Sequence, residues 1–143
     1  MPRLILILAL LVLGPGWAGA EQQLEATLYK QPSCSCCDGH AEHLRANGFK
    51  VTVVETDNLS QIKKKHEVPQ EFEGCHTTLI GRYVVEGHVP ATIIRKLLKE
   101  RPAIRGISLP GMPSGSPGMT GPKTEPFVVY ELSTRNGAVF AEE

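Results

Sequence analysis

The hydrophobic positions along the chain switch repeatedly between the two-residue period of a strand and the spacing of a helix. Residues 22–29 alternate apolar and polar side chains, as in a half-buried strand, and residues 38–47 carry apolar positions at helical spacing. Similar patterns predict a strand, a short helix, two strands around a Gly-Arg turn and a last helix, at residues 49–55, 59–66, 77–80, 83–86 and 90–101. The predicted fold class is therefore α/β, with the order βαβαββα.

The chain changes character after Pro102. Residues 106–126 are rich in Gly, Pro and Ser and predict an irregular loop, which in a compact domain is usually functional or disordered. The next apolar runs flank Asn136-Gly137, a strong signal for a tight turn. Residues 127–143 should therefore return as a terminal β-hairpin.

The first 20 residues have the pattern of a secretory signal. Arg3 precedes an apolar run, which ends in Gly and Pro and is followed by the small residues Ala18-Gly19-Ala20. The run is short for a membrane span, which needs about 20 apolar residues. We expect cleavage after Ala20, a single mature domain over residues 21–143, and a periplasmic location without a membrane anchor.

Charge adds little to this picture. The chain has 15 basic and 15 acidic residues and a formal net charge of zero, with no basic or acidic block. Nothing in this balance suggests a nucleic-acid partner or a membrane surface.

The candidate chemistry is concentrated in Cys34-Ser35-Cys36-Cys37, which holds three of the four cysteines, while Cys75 comes directly before His76. The first cluster should lie where a strand meets a helix N-terminus, and there the helix dipole favours thiolates over thiols. Export makes disulfides the default expectation. A structural disulfide, a redox pair and a metal site are therefore all to be weighed.

The two disulfide interpretations leave one cysteine unexplained. A bridge between Cys36 and Cys37 is disfavoured by geometry, and one between Cys34 and Cys37 is feasible but closes too small a loop to stabilise the fold much. Cys34 and Cys37 also form a CxxC pair suited to thiol–disulfide exchange. In that function the extra thiol of Cys36, beside the pair, would form unwanted mixed disulfides.

A metal site accounts for all the sulfurs. Zinc usually uses two separated pairs of cysteines, whereas three crowded sulfurs favour bridging thiolates and more than one metal ion. Met112 and Met119 lie in the polar loop, and thioethers select copper(I) over zinc. His88 should lie at the rim. His76 is next to Cys75, but neighbours on a strand point to opposite faces, which argues against both reaching one metal.

Other polar residues near these motifs have weaker signals. His40 lies three residues past Cys37 and could approach a metal, whereas His43 should face solvent. The three lysines of the second predicted helix, residues 63–65, should also point outward.

Five stretches closely resemble the CopG-type copper-resistance proteins: residues 29–37, 44–49, 75–77, 81–90 and 110–119. The resemblance implies a thioredoxin-like fold, a periplasmic location, copper bound through clustered cysteines, and a role in copper tolerance that extends to interconverting copper(I) and copper(II). It carries over, residue by residue, to Cys34, Cys36, Cys37, Cys75, His76, His88, Met112 and Met119. His40 and His43 lie outside these motifs.

We therefore predict a copper-binding protein, with copper ions and other periplasmic copper-handling proteins as partners and zinc as the less favoured metal. Whether it turns copper over or sequesters it stays open at this stage. The alternative is a thioredoxin-like thiol–disulfide oxidoreductase that uses Cys34 and Cys37.

Overall fold

The computed structural model describes residues 23–133 and 137–143. The predicted signal segment and the Asn136 position of the predicted turn lie outside these residues. Within the described ranges, three α-helices accompany one seven-stranded sheet of strand order β2-β1-β3-β4-β5-β6-β7. None of the helices in these ranges is long and apolar enough to cross a membrane.

The elements follow the predicted order as far as the last helix. They are β1 (Leu24–Lys30), α1 (Ser35–Ala46), β2 (Phe49–Glu55), α2 (Leu59–Lys65), β3 (His76–Ile80), β4 (Tyr83–Gly87), α3 (Ala91–Glu100), β5 (Gly106–Leu109), β6 (Val128–Glu131) and β7 (Val139–Glu142), with a short 3-10 turn at Gln70–Phe72. The mixed α/β class is thus confirmed.

Helix α1 begins three residues earlier than the pattern predicts. Its buried side chains are Cys37, His40, Ala41 and Leu44, a stripe spaced three and four residues apart. Cys37 belongs to this buried stripe. The helix that buries it therefore includes the cysteine motif and begins at Ser35. Cys36 and Cys37 therefore lie inside the first turn, and Cys34 is the N-cap residue.

The sheet brings the two cysteine-containing segments together. β1 pairs in parallel with β2 on one side and antiparallel with β3 on the other, where Lys30 lies opposite His76. The turn that leaves the end of β1 therefore lies beside the residues that enter β3. This places Cys34 and its neighbours next to Cys75.

The predicted loop at residues 106–126 is wrong at its start, since Gly106–Leu109 forms β5 and pairs in parallel with β4. Gly106 permits this pairing because a Cβ there would lie 1.8 Å from the Val84 carbonyl oxygen. Ile107 and Leu109 are buried. The terminal hairpin β6–β7 consequently joins the sheet through β5, and the irregular loop starts only at Pro110.

The core is apolar around the sheet but contains an unusual polar set. Leu28, Leu44, Val85, Ile94 and Ile107 are fully buried. Three histidines and a glutamate are also fully buried, and one lysine is nearly so: His40, His76, His88, Glu86 and Lys63. Burial of polar groups costs free energy unless they are hydrogen-bonded, and this set lies next to the cysteines.

Candidate metal centre

The four cysteine sulfurs meet in one cluster. Their Sγ atoms all lie within 4.8 Å of one another. Cys34 is 3.5 Å from Cys36, and Cys75 is 3.5 Å from Cys37 and 4.0 Å from Cys36. Cys37 is fully buried and the other three are half-buried. We call Cys34, Cys36 and Cys37 the helix cysteines.

Two of the helix cysteines are joined in a disulfide. Cys34 and Cys37 pair across the first turn of α1, with their Cα atoms 5.4 Å apart, and Cys36 and Cys75 are free thiols. Residues three apart lie on the same side of a helix, which brings these two sulfurs together. The pair must be reduced by two electrons before both sulfurs can act as thiolate ligands.

A buried lysine anchors the turn that carries the helix cysteines. The Lys30 side chain is 1% exposed, and its Nζ donates to the Cys34 carbonyl at 3.3 Å and to the Asp38 carboxylate at 2.9 Å. The hydrogen bond that Lys30 donates to Asp38 is the main cause that raises the pKa of Lys30. Lys30 therefore ties the end of β1 to both ends of the first helical turn.

The β3–β4 hairpin supplies the opposite side of the site. Thr77 lies opposite Glu86 in this hairpin, and continuing the register by two residues puts Cys75 opposite His88. Cys75 Sγ is indeed 3.0 Å from His88 Nε2. Because the turn is the predicted Gly81-Arg82, the register, and hence this pairing, could have been read from the sequence.

His76 also reaches Cys75, contrary to the argument from strand alternation. Its Nδ1 lies 3.4 Å from Cys75 Sγ. β3 begins at His76, so Cys75 precedes the strand and its side chain is not constrained to the opposite face. Cys75, His76 and His88 therefore form a second group of potential ligands, which we call the hairpin group, and Cys75 belongs to both clusters.

Burial keeps the hairpin group neutral in the metal-free protein. It raises the pKa of the Cys75 thiol to about 12 and lowers the pKa of both His76 and His88. The group therefore consists of a thiol and two neutral imidazoles at neutral pH. A soft cation would displace the thiol proton and find two nitrogen lone pairs beside the sulfur.

An ion pair that the sequence did not predict holds the backbone around the hairpin group. Lys63 is 4% exposed, so the prediction that it points outward is wrong; it lies one turn after the buried Leu59, on the same face of α2. Lys63 pairs with Glu86. Glu86 also accepts hydrogen bonds from the Gly74 backbone N–H and the Thr77 hydroxyl, both at 2.8 Å. These two residues flank Cys75-His76.

The Gly/Pro loop covers the hairpin group. The Pro117 carbonyl accepts a hydrogen bond from His88 Nδ1 at 2.7 Å. Gly118 packs so closely on α1 that a Cβ there would lie 2.5 Å from the Cys36 carbonyl oxygen. Met119 follows directly and is half-buried, whereas Met112 is 42% exposed. Of the two methionines, Met119 is thus the one whose backbone adjoins the cluster.

Of the two histidines of α1, His40 lies beside the candidate ligands, in line with expectation, whereas His43 is not solvated as expected. His40 is fully buried and its Nδ1 lies 2.9 Å from His76 Nε2. His43 is half-buried rather than solvated, and its Nε2 accepts a hydrogen bond from the Ala91 backbone N–H at 3.1 Å. His40 therefore contacts the hairpin group, and His43 caps the start of α3.

A cleft of about 290 Å³ opens next to the sulfurs. It is lined by Gln31, Cys34, Leu59, Ser60, Lys63, Glu73, Gly74 and Cys75. Cys34 and Cys75, one sulfur from each side of the site, therefore face a space that is open to solvent and large enough for a small molecule or a peptide side chain.

Comparison with known proteins agrees with this architecture. The model of a protein family of unknown function, DUF411, matches residues 72–119, which include Cys75, His76, His88 and the loop as far as Met119. No curated protein matches the chain. Two solved structures, named copper resistance protein CopG in form 2 and form 1, share 40% sequence identity with it, with TM-scores of 0.79 and 0.78.

The similarity to these two structures extends over nearly the whole of both solved chains. They cover 85% of this chain and 99% and 98% of the two solved chains. Identity at this level over this length establishes common descent and a common fold. The chain therefore belongs to the CopG family of copper resistance proteins.

Proposed function

We propose that this protein is a periplasmic copper-binding protein of copper tolerance, which holds copper in a cluster of cysteine thiolates. The observation that carries the proposal is the convergence of four sulfurs within 4.8 Å, with Cys75 shared between them and two buried histidines. The copper resistance proteins named above are the relatives that support copper as the metal.

We further assign the fold to the thioredoxin-like class. The order β2-β1-β3-β4, with β1 parallel to β2 and antiparallel to β3, supports this assignment. The CxxC pair at the first turn of the helix after β1 supports it as well. In this arrangement the cleft beside Cys34 and Cys75 is where copper would be exchanged with other copper-handling proteins.

The two ligand groups suit the two oxidation states of copper. Thiolate and thioether sulfurs favour copper(I), which fits the helix cysteines, Cys75 and the neighbouring Met119. Imidazole nitrogens also suit copper(II), which fits the hairpin group. Zinc is the less favoured metal because its structural sites use separated pairs of cysteines. A thiolate of Cys75 can bridge metal ions held on its two sides.

The Cys34–Cys37 pair gives the site a way to change the oxidation state of its cargo. When the reduced pair forms its disulfide, one S–S bond is made, two protons leave and two electrons are released. Two copper(II) ions each accept one of these electrons and become copper(I). The reverse reaction takes one electron from each of two copper(I) ions and reopens the disulfide.

Copper binding is tested by elemental analysis of reduced protein after loading with copper(I) and removal of the excess. We expect more than one copper per chain, and a lower ratio when the Cys34–Cys37 disulfide is left intact. A Cys36→Ser variant, which keeps the disulfide pair, should also bind less. Less than one copper per chain, or preferential retention of zinc, would refute the proposal.

The redox step is tested by its stoichiometry. Reduced protein is mixed anaerobically with copper(II), and free thiols and chelator-bound copper(I) are both counted. Two copper(I) ions should appear for each disulfide formed. A Cys34→Ser/Cys37→Ser variant should produce fewer. Equal yields from the variant and the native protein would exclude this pair as the electron source.

The second candidate function is thiol–disulfide exchange by Cys34 and Cys37. The observation that favours it is their disulfide beside an open cleft, with Cys34 on the cleft and Cys37 fully buried. Insulin reduction by the metal-free protein separates the two functions. Rapid turnover that depends on both cysteines would support exchange, whereas turnover no faster than a simple dithiol favours copper binding.

A further inference from the structure

His40 makes two short contacts through its two ring nitrogens. Its Nε2 lies 2.9 Å from the Val89 carbonyl oxygen, and its Nδ1 lies 2.9 Å from His76 Nε2. The residue is fully buried on the inner stripe of α1. It therefore joins a backbone carbonyl to one of the imidazoles of the hairpin group.

The carbonyl fixes the direction of both hydrogen bonds. A carbonyl oxygen only accepts, so Nε2 of His40 carries its proton. A buried neutral imidazole has one proton, so Nδ1 of His40 accepts from His76 Nε2. The proton of His76 is then on Nε2, and the lone pair of its Nδ1 faces Cys75 Sγ at 3.4 Å.

His88 is also held in one tautomer, by a direct hydrogen bond to a backbone carbonyl. Its Nδ1 donates directly to the Pro117 carbonyl at 2.7 Å, which leaves the Nε2 lone pair facing Cys75 Sγ at 3.0 Å. The two histidines thus present opposite ring nitrogens to one sulfur. Each is fixed by a backbone carbonyl, His88 directly and His76 through His40.

We propose that His40 is a positioning residue that holds His76 in the tautomer whose Nδ1 lone pair faces Cys75. Ligating histidines are commonly oriented by a hydrogen bond from their other ring nitrogen, and loss of that partner typically weakens metal binding by about 10- to 100-fold. The effect on copper rests on the proposed function, whereas the tautomer is a property of the metal-free protein.

The tautomer is measured by long-range proton–nitrogen correlation spectra of the histidine rings in metal-free protein labelled with ¹⁵N. We expect His76 to carry its proton on Nε2. In His40→Leu this single tautomer should be lost. His40→Gln should keep it, because an amide offers a donor and an acceptor separated by one carbon atom, as the imidazole does. His43→Gln, on the same helix but outside this chain of hydrogen bonds, should leave it unchanged.

A proton on Nδ1 of His76 in the native protein overturns the proposal, and that measurement needs no variant to fold. An unchanged tautomer in His40→Leu overturns it as well, even if copper binding falls, since the effect would then come from packing. Copper(I) affinity, measured by competition with a chromogenic chelator, should fall by about 10- to 100-fold in His40→Leu and recover in His40→Gln. If the native protein binds no copper, the proposed function fails while the tautomer result still decides this inference.

Discussion

The two sides of the site are built in different ways. The helix cysteines come from four consecutive residues, and two of them are joined in a disulfide. The hairpin group comes from the two arms of the β3–β4 hairpin, and its imidazoles are held by the Pro117 carbonyl and, through His40, by the Val89 carbonyl. In the proposed function, reduction of this disulfide would add two free sulfurs on the helix side, while the hydrogen bonds would keep the geometry of the hairpin group.

This difference suggests that the hairpin group and the helix cysteines have different functions in copper binding. A ligand set that is fixed by buried hydrogen bonds costs little reorganisation when a metal binds or changes oxidation state. A dithiol supplies electrons and its disulfide accepts them, but oxidation removes two thiolate ligands. Cys75, which belongs to both clusters, would keep copper attached while the helix cysteines change state.

The largest expected effect comes from breaking the support behind the hairpin group. Lys63→Met leaves the buried Glu86 without its charge partner, and only the hydrogen bonds from Gly74 and Thr77 remain, which should lower the free energy of unfolding by about 3–5 kcal/mol. Lys63→Met with Glu86→Gln should restore much of this, because no unpaired charge remains. Urea unfolding of the metal-free protein measures both.

The matched control for this pair is Lys50–Glu25, whose side chains are 61% and 75% exposed with a 3.0 Å contact. Lys50→Met should cost less than about 1 kcal/mol, since exposed pairs contribute little. If Lys63→Met costs no more than Lys50→Met, the Lys63–Glu86 pair does not support the site.

Removing the shared sulfur should have the next largest effect. Cys75→Ser takes a ligand from both clusters, so its effect should exceed that of losing an orienting partner and reach at least about 100-fold in copper(I) affinity, or about 2.8 kcal/mol. Cys36→Ser, which affects the helix side alone, should cost less. A larger loss in Cys36→Ser would place the main copper site on the helix.

The buried histidines predict a pH dependence of stability on the hairpin side. Burial lowers the pKa of His40 from 6.5 to about 3, so the unfolded chain binds a proton that the folded protein does not. Stability is therefore full above about pH 6.5 and falls as the pH drops toward 3, by up to about 1.4 kcal/mol per pH unit for this histidine.

Urea unfolding of metal-free protein between pH 7 and pH 5 measures the slope of the free energy of unfolding against pH. In His40→Gln the slope should be smaller by about one proton. His66→Gln, at a half-buried position just after α2, is the comparison: burial lowers the pKa of His66 as well, so this variant should reduce the slope, but by less than His40→Gln because His66 is less buried. Identical slopes in the native protein and His40→Gln would show that His40 is not buried in its neutral form.

The smallest expected effects concern the loop. Met119→Leu should weaken copper(I) retention by up to about tenfold, since it removes the thioether of the residue after Gly118, whose backbone packs on the cysteine-bearing helix, whereas Met112→Leu should have less effect because Met112 is exposed. Leucine keeps the apolar volume in both. Equal affinities in the two variants and the native protein would reduce the loop to a packing role.

Much of this architecture could be predicted from local pattern. The alternation of apolar residues gives β1 to α3, and the cysteine motif lies where a strand meets a helix. The Gly81-Arg82 turn even fixes which residue faces Cys75. β5 was missed because a buried run of four residues starting with glycine resembles the loop that follows it.

The sequence by itself determined the ligand types and the three sulfurs of the first helical turn, because neighbours in sequence stay neighbours in space. Only the tertiary structure decided that His40 supports His76, and that Lys63 is buried against Glu86. Both depend on contacts between residues more than 20 positions apart. The sequence does not distinguish a buried polar side chain from an exposed one. Only the packing of helices on the sheet selects the partner that offsets the free-energy cost of burying it.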